Sequence, residues 1–561
     1  MFKPGERIAL AALDRPATPV DWLRIVDGLH GEPGFWWLDS ALCDGRLGRF
    51  SFAGADPYLW LRARGERVEI DVLRPIRPGL ARGSHRLEAD PFDTARSLLP
   101  RADSLVHSTR TATGSGNPCW HEVDGLSAGL ELPFVGGAVG YFGYELATTT
   151  LPRVRCENRD ELGLPDLALA FVDQVLAYDH AGAQLWLVGL GFGSVGSSRG
   201  ESAREEAMAS SRAAADRLAA RVEALLSGDG LGAPGRSTSP AGLRVADAVA
   251  PTLVSTVDAS GYAKAVDAIL EEIAAGNVYQ ANYSQRLTVS VDADPWALYG
   301  ALRRNNPAPF GAYLALPEAK ILSSSPERFL RMDGSRRVES RPIKGTRPRG
   351  DDEVADRRLV HELATSEKDR AENLMIVDLV RNDLGRVCAP GTIAVPELMQ
   401  IEAYATVFQM VSTVTGELAT GRDAFDLVRA NFPPGSMTGA PKLAAITLLE
   451  RLERVRRGVY AGALGYLDLR GGLDLSVVIR TLVFQDGRAH LHVGGGIVAD
   501  SSPEAEYLES LDKAKAPLAA IEELLGSALG RVEIRGEGEV DGGGPGVGDS
   551  RGSSSPGAGA A

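Results

Sequence analysis

Apolar and polar positions alternate with period two in several short runs near the start of the chain. Residues 35–40 and 49–52 read as strands around a turn at Gly45, and Gly54-Ala55-Asp56-Pro57 breaks the second. Residues 59–64 and 67–72 form another pair, and their two-residue loop, Gly65-Glu66, fits a tight hairpin. Asp90-Pro91-Phe92-Asp93 opens a short helix, and the Ser, Thr and Gly content of residues 101–130 predicts a loose loop. In residues 132–145 glycines alternate with apolar residues, a pattern for close backbone approach between sheets. Residues 167–178 and 185–188 read as buried strands. Residues 191–200 and 227–242 are rich in Gly, Ser or Pro and predict flexible segments. Between them, residues 201–226 show helical spacing at Leu218, Val222 and Leu225 and predict a long surface helix. The pattern divides into an N-terminal unit over 1–245 and a second unit over 256–526, with a low-complexity, disordered tail at 527–561.

The second unit opens with a helix that Ser260 can cap and Gly276 can end; its apolar stripe is Tyr262, Val266, Ile269 and Ile273. In the next strand, residues 278–287, period two puts Gln280, Asn282, Ser284 and Arg286 on one face. That face either lines a site or is a solvated edge. Residues 321–329 run from a strand into a turn ending at Glu327. Residues 365–374 open a helix on which Asp369 and Glu372, three apart, share a face. Ser502 and Pro503 begin another, on which Glu506, Glu509 and Lys513 share a face. Two acidic pairs on two helices can supply oxygens to one Mg²⁺. Residues 432–442 form a Gly/Pro turn whose amides suit an anion, and they lack the Gly-Lys-Ser/Thr of a nucleotide loop. Residues 460–466 and 477–481 read as strands; Arg480, ending an apolar run, calls for a carboxylate partner. The glycines at 494–496 bring backbone close to a neighbour.

Residues 341–349 hold Lys344 among Arg341, Arg347 and Arg349. Neighbouring positive charge and burial both disfavour an ammonium ion, so Lys344 is a candidate nucleophile or base. The arginines suit a dianionic substrate, and a solvated basic loop is the plain alternative.

The whole chain has 561 residues, is 44% hydrophobic, and carries 60 basic against 74 acidic residues, a net charge of −14. That balance argues against a nucleic-acid-binding surface. The four cysteines (Cys43, Cys119, Cys156, Cys388) have no metal-ligand or disulfide spacing, which suits a reducing cytosol and a cytoplasmic location. The sequence shows neither a signal-peptide apolar run nor a membrane-spanning one, so no membrane partner is expected.

Taken in order, Ser325-Pro326-Glu327, Pro342-Ile343-Lys344-Gly345-Thr346, residues 368–383, 435–442, Ile479-Arg480-Thr481 and residues 494–513 resemble the chorismate-binding enzymes. That family is shared by anthranilate, aminodeoxychorismate, isochorismate and salicylate synthases. Residues 38–40, 49–52 and 132–145 extend the likeness into the N-terminal unit. The resemblance implies an α+β fold, two antiparallel sheets packed face to face with helices outside. It implies that Lys344 and Glu327 are catalytic, as nucleophile and general acid. Gln280, Thr346, Thr438, Tyr460, Arg480, Gly494, Gly495 and Lys513 fall at substrate-binding positions. Asp369, Glu372, Glu506 and Glu509 fall at positions for Mg²⁺. Water-adding relatives carry lysine where this chain has Gln280, and anthranilate synthases typically carry alanine at Lys344. The likeness is therefore to the aminodeoxychorismate synthase branch, whose component I aminates chorismate for 4-aminobenzoate and folate synthesis. The alternatives are an anthranilate or 2-amino-2-deoxyisochorismate synthase, or a non-catalytic chorismate- or tryptophan-binding regulator. No cysteine lies in a Gly-x-Cys-x-Gly turn, so a separate glutamine amidotransferase subunit is the expected ammonia source. Asp39 and Ser40 either help form a tryptophan pocket, as in relatives, or belong to a plain core strand. Gln409 stands where the family usually has histidine, and it cannot shuttle protons at neutral pH.

Overall fold

The computed structural model describes residues 7–42, 46–77, 79–100, 105–111, 120–123, 132–193, 200–227, 252–404, 407–530 and 532–534. Among these residues the strands form two sheets, one of fifteen strands and one of twelve. Their pairing is antiparallel except where Arg7–Pro16 meets Leu105–Thr111 and Leu253–Ser255 meets Val532–Ile534. The sheets pack face to face, as expected. Strand Gly137–Phe142 shows how period two builds the layers: Val139 and Tyr141 point inward, joining Val175, Val188 and Leu190 of the facing sheet in one buried cluster. Ala138 and Phe142 point outward into a different cluster. Large side chains such as Tyr141 and Trp36 each contribute about 2 kcal/mol by leaving water.

Helices cover both outer faces. Pro19–Leu29, Pro295–Asn305 and Pro503–Leu525 pack their apolar sides on the larger sheet, and Pro91–Leu98, Glu367–Gly385 and Ala424–Asn431 on the smaller. Both sheets draw strands from either side of residue 245. Trp36–Asp39 pairs with Phe310–Ala315, and Gly137–Phe142 with Ala463–Asp468.

Several sequence expectations change. Residues 101–130 contain strands Leu105–Thr111 and His121–Val123, because their Val and Thr content favours an extended backbone. The segment expected to be flexible from 191 continues strand Gln184–Gly193. Its glycines admit helix Gly200–Ser227: a Cβ at Gly191 would lie 2.1 Å from Ala207 O. Residues 194–199 and 228–242 lie outside the described residues. The supposed tail contains strand Val532–Ile534; residues 535–561 also lie outside the described residues. Asp258, not Ser260, caps helix Ala259–Ala274, accepting from the Gly261 amide at 2.7 Å. Residues 167–178 are two strands, Leu167–Val172 and Gln174–Asp179, one in each sheet. Close approach between sheets is realised at Gly136 (φ +139°), where a Cβ would meet Leu190 Cδ1 at 2.5 Å. Among the described residues no helix is long and apolar enough to cross a membrane.

Candidate active site

A cavity of about 430 Å³ is lined by residues of both sheets. Strands Gln280–Ser290 and Arg488–Ile497 of the larger sheet form one wall, and Ile343–Pro348 and Val407–Glu417 of the smaller form the other. The chain crosses between the sheets twice beside this cavity. One crossing joins strand Lys320–Ser325 to Arg328–Met332 and carries Glu327; the other joins Leu473–Val477 to Thr481–Gln485 and carries Arg480. Residues 477–481 are therefore a junction, not the single strand expected. Three serines lace the crossings together. Ser323 Oγ bonds Thr481 Oγ1 at 2.8 Å, Ser324 Oγ donates to Arg480 O at 3.1 Å, and Ser325 Oγ donates to Val477 O at 2.6 Å. The Val477 amide donates to Glu327 O at 2.9 Å. Arg480 has φ +52°, a left-handed conformation that costs a non-glycine residue about 1 kcal/mol. The pairing with Ser324 supports that conformation, and Glu327 and Arg480 both line the cavity.

Burial raises the Glu327 pKa to about 7, against opposing effects from the Ser436 hydroxyl, the Lys344 charge and the Ile343 amide. A carboxyl group that keeps its proton near neutrality can act as a general acid. Lys344 reaches the same space, with Nζ 3.4 Å from Ser436 O. Ser436 sits on a turn anchored by buried Lys442, whose ammonium donates to Asp383 Oδ2 at 2.6 Å and to Asn431 O and Pro433 O at 2.8 Å.

The arginines around Lys344 are not the anion clamp their clustering suggested. Arg341 pairs with Glu402, Arg347 with Glu362 and Asp369, and Arg349 with Asp356. Their partners lie far off in sequence or across a loop, which is why the cluster looked free. Arg480 reverses its expectation too: it has no carboxylate partner among the described residues, and burial lowers its pKa. A half-buried guanidinium facing a cavity is a ready site for a substrate carboxylate.

The polar face of strand Gln280–Ser290 is buried rather than a solvated edge. Ser284 binds Glu453, and Arg457 ties Glu453, Met437 O and Asn282 O into a rigid wall. Gln280 lies just behind the lining. Neither carboxamide atom has a hydrogen-bond partner among the described residues, and the same is true of Gln409 Oε1. A Cβ at Gly496 would come within 2.2 Å of Gln280 Nε2 and 3.5 Å of Lys344 Nζ, so glycine keeps this corner open. Thr346, Tyr460, Gly494 and Lys513 line the cavity. Thr438 and Gly495 do not: Thr438 is fully buried and closes the Pro434–Gly435 turn, and Gly495 backs onto Glu506.

Asp369, Glu372, Glu506 and Glu509 also line the cavity. Ser366 caps their first helix by accepting from the Asp369 amide at 3.2 Å, whereas Ser502 begins the second without a side-chain cap bond. Burial raises the Glu372 pKa, with Lys344 and Lys368 opposing. Burial also works to raise Glu509, but Lys513, at 2.9 Å, and the charges of Lys368 and Lys344 together outweigh it and hold the pKa low. Lys368 Nζ lies 3.6 Å from Glu506 Oε1, which also accepts from Ser501 Oγ at 2.6 Å. Among the described residues no three carboxylates, histidines or cysteines are gathered into a metal cluster. The donor chemistry suits Mg²⁺, all oxygens from two rigid helices, but lysines pair with two of those carboxylates here.

Asp39 and Ser40 line a second cavity of about 320 Å³, with Phe50, Phe52, Phe310 and Tyr466. Their polar atoms are engaged within the protein. Arg303 Nε donates to Asp39 at 2.6 Å, and Ser40 Oγ donates to Phe50 O at 2.8 Å.

Sequence reasoning did not single out His492, Ser436 or Lys368 as site residues. His492 stacks on Tyr460 with ring centroids 5.2 Å apart, and burial, helped by Arg286 and Arg457, holds its pKa well below the usual range. Period two along strand Arg488–Ile497 puts it on the face of Gly494 and Gly496, which was the available signal.

Residues 57–519 match the chorismate binding enzyme family, and the chain belongs to that family. An aminodeoxychorismate synthase from Streptomyces griseus is 39% identical over 488 residues, 86% of this chain and 60% of that protein, so the chain spans about three fifths of that relative's length. An anthranilate synthase component 1 from Thermus thermophilus is 41% identical over 390 residues, 70% of this chain and 78% of that protein. The solved anthranilate synthase component I from Streptococcus pneumoniae has the same fold, with a TM-score of 0.65 at 25% identity over 84% of this chain and 92% of that one.

Proposed function

We propose that the chain is component I of an aminodeoxychorismate synthase, converting chorismate and ammonia to 4-amino-4-deoxychorismate and water. The observation that carries this reading is the meeting in one cavity of Lys344, Glu327 and Arg480, which has no carboxylate partner among the described residues. Arg480 and Lys513 bind substrate carboxylates. Lys344 Nζ attacks C2 as the 4-hydroxyl departs, and Glu327 donates the proton that lets it leave as water. Ammonia then attacks C4 and expels the lysine from C2, giving up its extra proton to that amine. Glu372, Glu506 and Glu509, with Asp369 beside them, would hold Mg²⁺, which supplies positive charge for the ring carboxylate. The ammonia comes from a separate glutamine amidotransferase subunit in the cytoplasm, and the product feeds 4-aminobenzoate and folate synthesis.

The similar identity to an anthranilate synthase supports a second reading, amination at C2 with loss of pyruvate. Product analysis separates the two. Incubated with chorismate, Mg²⁺ and an ammonium salt, the purified protein is expected to give an aminated product that keeps the enolpyruvyl group, seen by chromatography and mass. Anthranilate would overturn the first reading. Replacing Arg480 by Ala removes a charge-assisted contact and is expected to raise KM for chorismate about 10- to 100-fold with a smaller change in kcat. An unchanged KM in steady-state kinetics would remove Arg480 from the carboxylate site.

A further inference from the structure

We infer that Lys368 is a built-in counter-ion for the carboxylates proposed to hold the divalent cation, and that its ammonium must swing away before the cation enters. The inference rests on the metal reading given above and adds a residue that competes with the metal. Besides Glu327, five carboxylates line the cavity: Asp369, Glu372, Glu506, Glu509 and Asp512. Like charges so close repel unless cations stand among them. Lys368 projects from the first turn of helix Glu367–Gly385 across to Glu506 on the other helix, 3.6 Å away. The charges of Glu506, Glu372 and Glu509 all act on its ammonium. The ammonium therefore pairs with one of the groups that a metal would need, inside the cavity that the other two also line.

Lys513 is a different case. It pairs with Glu509 at 2.9 Å but also donates to Gly494 O at 2.9 Å, a backbone anchor that fixes it in place. Lys368 shows no such anchor among the described residues, and its side chain is 44% exposed against 3% for Glu506. A long, half-exposed side chain can rotate into solvent without any backbone shift. Glu506 cannot follow it, because Ser501 Oγ holds the same carboxylate oxygen at 2.6 Å. Lys368 thus balances the charge of these carboxylates and sets a threshold that the metal must exceed.

The test is Mn²⁺ binding to the purified full chain, followed by electron paramagnetic resonance of the free ion. Lys368→Met is expected to bind Mn²⁺ about fivefold more tightly than the unmodified chain, the upper scale of one partly exposed ion pair. Lys368→Arg, which keeps the charge, is expected to stay near the unmodified value. In EDTA, Lys368→Met is expected to melt at a lower temperature, and Mn²⁺ to restore it. A readout on the unmodified chain makes the proposal independent of any variant's folding: saturating Mn²⁺ is expected to increase acetylation of Lys368 by acetic anhydride, read by peptide mass spectrometry. Equal or weaker Mn²⁺ affinity in Lys368→Met, or unchanged acetylation, would overturn the counter-ion role and leave the metal reading standing. No Mn²⁺ binding by either protein would overturn both.

Discussion

Lys344→Ala is expected to lower formation of the C4-aminated product by roughly a thousandfold or more, the scale on which loss of an enzyme nucleophile is felt. The expectation rests on where the side chain is held. Its strand is pinned to Val407–Glu417, where Thr346 pairs with Gln409, and Gly345 next to it takes φ +86°. That conformation turns the chain beside Leu363 and Asp369 and leaves Lys344 directed past Ser436 O into the cavity. Alanine removes the amine without disturbing a strand whose side chains here are only partly buried. Chorismate consumption and product identity should be followed together, by mass and by absorbance. A shift to another product would mean that Lys344 sets where ammonia attacks. The same product at the same rate would show that Lys344 forms no covalent bond to the ring.

Glu327→Gln is expected to slow the reaction by about 10²- to 10⁴-fold, the usual contribution of a positioned general acid. The pH dependence gives a sharper signature. With the rate expressed per unit of free ammonia, the original chain is expected to lose activity as pH rises through about 7, where burial places the Glu327 titration. The variant's residual activity should lack that limb. Stability carries the same sign. The folded chain keeps this proton up to about pH 7, whereas the unfolded chain releases it near 4.5, so the folded state binds more protons between those values. Raising pH through that window should destabilise the original chain by on the order of 3 kcal/mol, and Glu327→Gln should remove that slope in urea titrations at several pH values. A pH profile shared by both proteins would assign the limb to another group.

The parts of this site that were legible in sequence are the local ones. Residues 365–374 read as a helix start, and spacing put Glu506, Glu509 and Lys513 on one face. Alternation placed Gln280, Asn282 and Ser284 together before anything showed that the face was buried. Partnerships across sequence distance were not legible. Glu402 takes Arg341 from 61 residues away, and Glu453 takes Ser284 from 169 away. The crossings between sheets were hidden for a different reason. Strands buried in either sheet read as the same apolar run, so residues 167–178 and 477–481 each passed for one strand. Residues 323–325 read as the end of a strand, with Ser325 opening the Ser325-Pro326-Glu327 motif, but what the three serines bind appears only once the second crossing lies beside them.

The laced crossings divide the site into a part that resists change and a part open to it. Glu327 and Arg480 share backbone and hydroxyl contacts through Ser324, Ser325 and Val477. Moving either one disturbs the other, so substitutions there should be strongly non-additive. Gln409 lines one wall and Gln280 stands just behind the other, and the Gln280 carboxamide and Gln409 Oε1 have no hydrogen-bond partner among the described residues. Exchanging them breaks no such bond, while it changes what the cavity presents to a nucleophile. A scaffold of this kind can take different side chains at 280 and 409 while the proposed proton donor and the proposed carboxylate-binding arginine stay fixed to each other.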